Sequence, residues 1–168
     1  MLRVLFLCTG NSARSIIAEA LLGTLGRGRF ESYSAGSQPS GRVQPLAAEI
    51  AIELGYPSDK LRSKSWDEFA AADAPSMDLI ITVCGNAAGE TCPIWLDHPA
   101  TAHWGVADPA AVIGDEELRR RAFQKAYRVL RQRVERLIAL PVESLDASTL
   151  QNRATEIAAA VPDESDSP

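Results

Sequence analysis

Two segments of this chain, RVLFL (residues 3–7) and MDLIITVC (77–84), are apolar at nearly every position instead of at alternate ones. Strands of that kind cannot show one face to water, so both faces must be covered. The cover is written between and after them. SARSIIAEALLGTLG (12–26) carries Ile16, Ile17, Ala20, Leu21 and Leu25 at helical spacing and ends at Gly26, and PLAAEIAIELG (45–55) is a second helix closed by glycine. FESYSAGS (30–37) reads as a strand running into the loop SQPSGRVQP, and SWDEFAAAD (65–73) as a helix with Ser65 at its N-cap. ATAHWGVADP (100–109) holds a short strand and a loop. DEELRRRAFQKAYRVLRQRVERLIAL (115–140) is a long amphipathic helix with Leu118, Phe123, Tyr127, Leu130, Val134 and Leu137 towards the core.

Strands alternating with helices predict an α/β fold: a doubly wound sheet of about four parallel strands with helices on both faces. Residues 1–140 form one catalytic domain, and 141–168 a C-terminal extension, partly helical or disordered, with AAAVPDESDSP as a frayed tail. In such a sheet, sites lie beyond the strands' C-terminal ends. Cys8, Cys84 and Asp108 each fall just past a predicted strand end, which groups residues that are far apart in sequence.

Composition removes several function classes. With 17 basic and 22 acidic residues the net charge is −5, and no basic stretch is interleaved with aromatics, so nucleic acid is not an expected partner. RRRAFQKAYRVLRQRVER reads as the solvated face of a helix. No run approaches the ~18 apolar residues of a membrane span, and MLRVLFL is too short for a signal peptide. The expectation is a cytoplasmic protein whose thiols stay reduced. The three cysteines, Cys8, Cys84 and Cys92, are an odd count, which argues against a disulfide framework and leaves metal binding or thiol chemistry.

The loop CTGNSAR lies between a strand and a helix, where successive backbone N–H groups and the helix N-terminus attract an anion. Gly10 permits unusual backbone angles, and Asn11 and Ser12 can tie the loop to itself. Arg14 offers a planar fork to two oxyanion oxygens. Ser15 can donate to the Cys8 sulfur, and the dipoles that hold an anion also favour a thiolate. Thr9, Gly10, Asn11, Ser12, Ala13, Arg14 and Ser15 are thus the candidate oxyanion cradle, with Cys8 as nucleophile beneath the central atom. A buried cysteine finishing a strand is the alternative for Cys8. Cys84 and Cys92 could be relay thiols, inert thiols, or ligands of a metal with His103, although their spacing is not that of a zinc site.

Cys, five residues, then Arg-Ser, directly after the first strand, resembles the low-molecular-weight protein tyrosine phosphatases. CTGNS-x-RS together with YSAG (33–36), ITVCGNAAGETCP (82–93) and HWGVADPA (103–110) is similar to the thioredoxin-coupled arsenate reductases built on that fold. The resemblance spans about residues 3–140 and implies arsenate as substrate, with phosphate or sulfate as competing oxyanions. It implies that Cys8 attacks arsenate, that Asp108 of the Asp-Pro pair protonates the departing oxygen, and that Cys84 then forms Cys8–Cys84 and releases arsenite. Cys92 would pass the disulfide on as Cys84–Cys92 for thioredoxin or another thiol reductant, and no redox cofactor or metal is required. His103 and Trp104 are expected as wall and packing residues, His98 at the surface, and Asp97 as a weaker acid than Asp108.

The chain departs from that pattern in places. Ala13 stands where many members have a further cysteine, and the Cys84–Cys92 spacing is one residue longer. Some relatives bind potassium beside the loop. Asn11, Glu19 and Ser34 match that site, but Ser65 takes the place of its aspartate. Two rival functions remain at this point. One is a phosphatase acting on phosphotyrosine or small phosphate esters, against which Ala110-Ala111 replace the aromatic residues that line such a slot. The other is a non-enzymatic oxyanion-binding or redox-sensing protein.

Overall fold

The segments with the most continuous apolar runs take the centre of the sheet. In the computed structural model, which describes residues 1–84 and 100–163, strands β1 (Leu2–Cys8), β2 (Phe30–Gly36), β3 (Leu79–Cys84) and β4 (Ala100–Val106) pair in parallel in the order β2–β1–β3–β4. The central strands β1 and β3 are buried on both faces. Val4, Phe6 and Cys8 join Ile81 and Val83 in the larger core cluster, while Leu5 and Leu7 join Ile80, Ala35 and Met77 on the opposite face. The helices are α1 (Arg14–Leu25), α2 (Pro45–Glu53), the single turn α3 (Asp67–Ala70), α4 (Glu116–Ile138) and α5 (Ala147–Ala160). The residues of α1, α4 and α5 fill the larger cluster, and Trp66 and Phe69 cover the smaller one. No helix among the described residues is long and apolar enough to cross a membrane.

Strand order reverses between β1 and β3: the chain leaves β1 for β2 on one side and returns to β3 on the other. The crevice at such a reversal lies beyond the strands' C-terminal ends. Cys8 and Cys84 are the last residues of these two strands.

Three expectations are corrected. SWDEFAAAD forms only the four-residue α3, with the N-cap position at Trp66 and not at Ser65. Ser65 sits in a bridge with Gly36, and its hydroxyl accepts from Asp67 N–H at 3.1 Å. Leu118 is about half exposed, since the buried stripe of α4 begins only at Phe123. The first turn of α4 is instead capped by Asp115, which accepts from Leu118 N–H at 2.9 Å. The segment read as a frayed tail is ordered through residue 163. Asp146 caps α5 by accepting from Thr149 N–H, and Leu150, Ala154, Ile157 and Val161 are buried in the main core. Residues 164–168 lie outside the described part.

The fully buried Trp104 of β4 donates its indole N–H to Ala154 O at 2.8 Å, tying α5 to the edge strand. Burying two large aliphatic side chains of α5 makes it part of the fold and not an appendage. Leu150→Ala and Ile157→Ala should each lower unfolding free energy by about 2–5 kcal/mol in chemical denaturation. A loss below about 0.5 kcal/mol in both would mean that α5 does not pack as described.

Candidate functional site

The loop after β1 is held from outside through its carbonyls. Cys8 O accepts from Ser37 N–H (3.2 Å), Thr9 O from Gln38 N–H (2.9 Å), Gly10 O from Ser40 N–H (3.0 Å) and Ser12 O from Gln44 N–H (2.9 Å). Ser63 Oγ adds a second bond to Gly10 O at 3.1 Å. A chain whose carbonyls are drawn outward presents its N–H groups inward. The Asn11 N–H does so, donating to Cys8 Sγ at 3.1 Å. Asn11 holds this turn with a left-handed φ of 47°, the one such non-glycine among the described residues. Ser15 Oγ lies 2.9 Å from Cys8 Sγ, so a backbone N–H and a hydroxyl both stand at the buried sulfur. The first turn of α1 has no side-chain cap, which leaves the helix N-terminus facing the loop.

Gly36 explains the YSAG motif sterically. A Cβ at that position would stand 2.5 Å from Thr9 O and 3.0 Å from Asn11 N. The end of β2 must be bare for the loop to close over it.

Beneath the loop lies a buried polar network that sequence reading saw only in part. Asn11 Nδ2 donates to Ser15 Oγ (2.8 Å) and Ser34 Oγ (3.0 Å), and Ser34 Oγ donates to Glu19 Oε1 (2.5 Å). Tyr56 OH donates to the other Glu19 oxygen. The Lys64 ammonium lies 3.7 Å from Glu19, 3.4 Å from Ser34 Oγ and 2.9 Å from Arg62 O. Lys64 N–H donates to Asn11 Oδ1 at 2.9 Å, orienting the amide that holds Ser15. Among Asn11, Glu19 and Ser34, where potassium would be sought, the protein's own ammonium supplies the positive charge. Burial lowers the Lys64 pKa against the opposing pull of Glu19, and burial beside that carboxylate pushes the Tyr56 phenol up.

The other candidate residues meet across the crevice. Thr9 Oγ1 donates to Cys84 Sγ at 3.9 Å, a long contact that sets this buried thiol beside the loop. Cys84 pairs with Val106 after a register shift in the β3–β4 ladder, the kind of irregularity that redirects a side chain. Arg14 Nη1 donates to Val106 O at 3.0 Å, and its Nη2 lies 3.7 Å from Asp108 Oδ2. Asp108 Oδ1 caps the 3-10 turn Pro109–Ala111 by accepting from Ala110 N–H at 3.0 Å. Thr9, Arg14, Cys84 and Asp108 line one cleft of about 950 Å³. His103 stands in its wall with Nδ1 2.6 Å from Thr82 Oγ1, and desolvation and the Arg133 charge lower its pKa. Cys92, Asp97 and His98 lie outside the described residues. No group of three or more His, Cys, Asp or Glu among the described residues could hold a metal.

Cys8, Thr9, Asn11, Arg14, Ser15, Cys84 and Asp108 are therefore brought together, with Gly10, Ser12 and Ala13 completing the loop. Lys64 and Tyr56 went unseen, because no periodicity or motif marks a lysine that is buried only by tertiary packing. Gly36→Ala tests the close approach. It should cost about 1–3 kcal/mol of stability through the clash with Thr9 O, and a thermal midpoint equal to wild type would contradict that geometry.

The chain as a whole is similar to known proteins. The profile of the low molecular weight phosphotyrosine protein phosphatases matches residues 3–151. An arsenate reductase of Bacillus licheniformis is 35% identical over 133 residues, 79% of this chain and 92% of that relative. A solved arsenate reductase in its phosphate-binding state is similar with a TM-score of 0.63 at 31% identity, over 83% of this chain and 98% of the other. A thioredoxin-dependent arsenate reductase of Corynebacterium glutamicum is similar at a TM-score of 0.56 and 25% identity, over 82% and 60% of the two chains. The chain belongs to the low molecular weight phosphotyrosine protein phosphatase family, within which it is similar to arsenate reductases.

Proposed function

We propose that this protein reduces arsenate to arsenite with its own thiols as electron donors, in a reducing cytoplasm. One observation carries the reading: a second buried thiol, Cys84, sits beside the oxyanion loop at the end of the strand next to that of Cys8. Phosphate ester hydrolysis needs one nucleophilic thiol, and a second within the same crevice serves thiol–disulfide exchange.

Arsenate enters the loop, its oxygens taken by the inward N–H groups and by the Arg14 fork, which leaves Val106 O and Asp108 to do so. Cys8 sulfur, which accepts from Asn11 N–H and lies beside the Ser15 hydroxyl, attacks arsenic. Asp108, released from Arg14, gives its proton to the departing oxygen, which leaves as water. Cys84 thiolate then attacks Cys8 sulfur. The S–As bond breaks with its electron pair going to arsenic, so arsenic(V) leaves as arsenite and two thiols become the Cys8–Cys84 disulfide. Cys92 attacks Cys84, frees Cys8 and carries the disulfide as Cys84–Cys92 to thioredoxin or another external thiol. Phosphate and sulfate fit the same loop as competitors, because the loop reads charge and tetrahedral shape. Electrons come from thiols throughout, so the cycle needs no bound redox cofactor.

Arsenate-dependent NADPH consumption, coupled through thioredoxin and thioredoxin reductase, tests this cycle. Wild type should turn over many times, whereas Cys84→Ser and Cys92→Ser stall after at most one, and Asp108→Asn slows arsenite release by ~100-fold or more. Wild type that is silent with every thiol donor yet hydrolyses a phosphate ester rapidly would establish the phosphatase chemistry of Cys8, Arg14 and Asp108 in its place.

A further inference from the structure

The match to the family profile ends at residue 151, inside α5, so the second half of that helix and the residues after it lie beyond the matched span. They do not run away from the site. Ala158, Ala159, Pro162 and Asp163 line the same cleft as Thr9, Arg14, Cys84 and Asp108. The last of them, Asp163, is only 6% exposed although it stands near the end of the chain. Its Oδ2 accepts from Ala107 N–H at 2.8 Å, one residue before Asp108.

Placing a carboxylate there takes further machinery. Arg133 is 2% exposed in the second half of α4, and its Nε donates to Val161 O at 2.9 Å while Nη1 donates to Gly105 O at 3.2 Å. One guanidinium thus fastens the chain two residues before Asp163 to the chain two residues before Ala107. Val161 is itself buried in the core, and its N–H closes α5 on Ile157 O. Along 105–108, Gly105 O, Val106 O, Ala107 N–H and the Asp108 carboxylate each have a partner: Arg133, Arg14, Asp163, and the Ala110 N–H with Arg14. Two of these anchors, Arg14 and the contact it makes with Asp108, must let go when an oxyanion takes the guanidinium. The anchors from Arg133 and Asp163 stay.

We infer that Asp163 is a positioning residue for the proton donor: its carboxylate holds the Ala107 amide, and so the Asp108 loop, in place during the step in which Arg14 turns to the substrate. This rests on the reading of Asp108 as the acid in arsenate reduction. A hydrogen bond from an amide to a charged acceptor is strong enough to change local opening by about tenfold or more.

The test uses full-length protein with Asp163→Ala and Asp163→Asn, because the asparagine oxygen accepts the same bond without the charge. Amide exchange of the segment 105–108, followed by mass spectrometry, should accelerate about tenfold in Asp163→Ala and return to within about threefold of wild type in Asp163→Asn. In arsenate turnover the alanine variant should lose about tenfold in kcat with KM within about twofold, and asparagine should restore most of it. Unchanged exchange at 105–108 in Asp163→Ala overturns the assignment, whatever the activity. Loss of protection across β1 and β3 as well would make Asp163 a general prop of the fold, and overturns it too. If wild type fails to reduce arsenate, the reading of the reaction falls while the exchange result still decides whether Asp163 holds the loop.

Discussion

The site depends on where the carbonyls of one short loop go. Cys8, Thr9, Gly10 and Ser12 each give their oxygen to the segment 37–44, and that outward set of bonds turns the opposite edge of the backbone towards the sulfur. Those donors sit in the Gly/Pro/Ser loop that follows β2, and β2 reaches them only because Gly36 lets it pass against Thr9 O. Below, the Lys64 backbone N–H and the Ser34 hydroxyl, itself bonded to Glu19, hold the Asn11 amide and, through it, Ser15, while Lys64 Nζ pairs with Glu19. A buried pair of this kind contributes little net stability, since desolvation offsets the attraction. The consequence of the network is orientation: hydrogen bonds run from the Lys64 N–H through the Asn11 amide and the Ser15 hydroxyl to Cys8.

The same cradle serves phosphoryl transfer and arsenate reduction equally well, because both begin with a tetrahedral oxyanion and a thiolate. What separates them is the strand next door. The register shift between Thr82 and Cys84 sets a second thiol against the loop, on the ladder that also carries the Asp108 segment. Cys8, Cys84 and Asp108, proposed as nucleophile, relay thiol and acid, thereby stand at or just past the ends of three neighbouring strands, β1, β3 and β4. A topology that reverses direction between β1 and β3 creates this crevice without further design.

Much of this was legible in the sequence, for physical reasons. RVLFL and MDLIITVC can be nothing but doubly covered strands, and CTGNSARS joins its chemistry within eight residues, so local spacing alone predicts that Ser15 meets Cys8. What escaped has non-local causes. Lys64 and Asp163 are polar residues in polar stretches, buried only by what folds over them. Arg133 looked like one more charge on a solvated helix face, yet it stands at the spacing of Ala126, Leu130 and Leu137, the buried stripe of α4. That periodicity was the available signal, and the run of arginines around it hid it. Leu118 erred in the opposite sense, an apolar residue at core spacing in a first turn that reaches beyond the sheet.

The central claim is that Cys84 resolves an adduct on Cys8. Its most direct test is a single turnover of Cys92→Ser with one equivalent of arsenate, quenched with an alkylating agent and mapped by peptide mass spectrometry. The account predicts a Cys8–Cys84 disulfide in step with arsenite release. Arsenite released while Cys84 remains alkylatable would contradict it and assign the reducing thiol elsewhere.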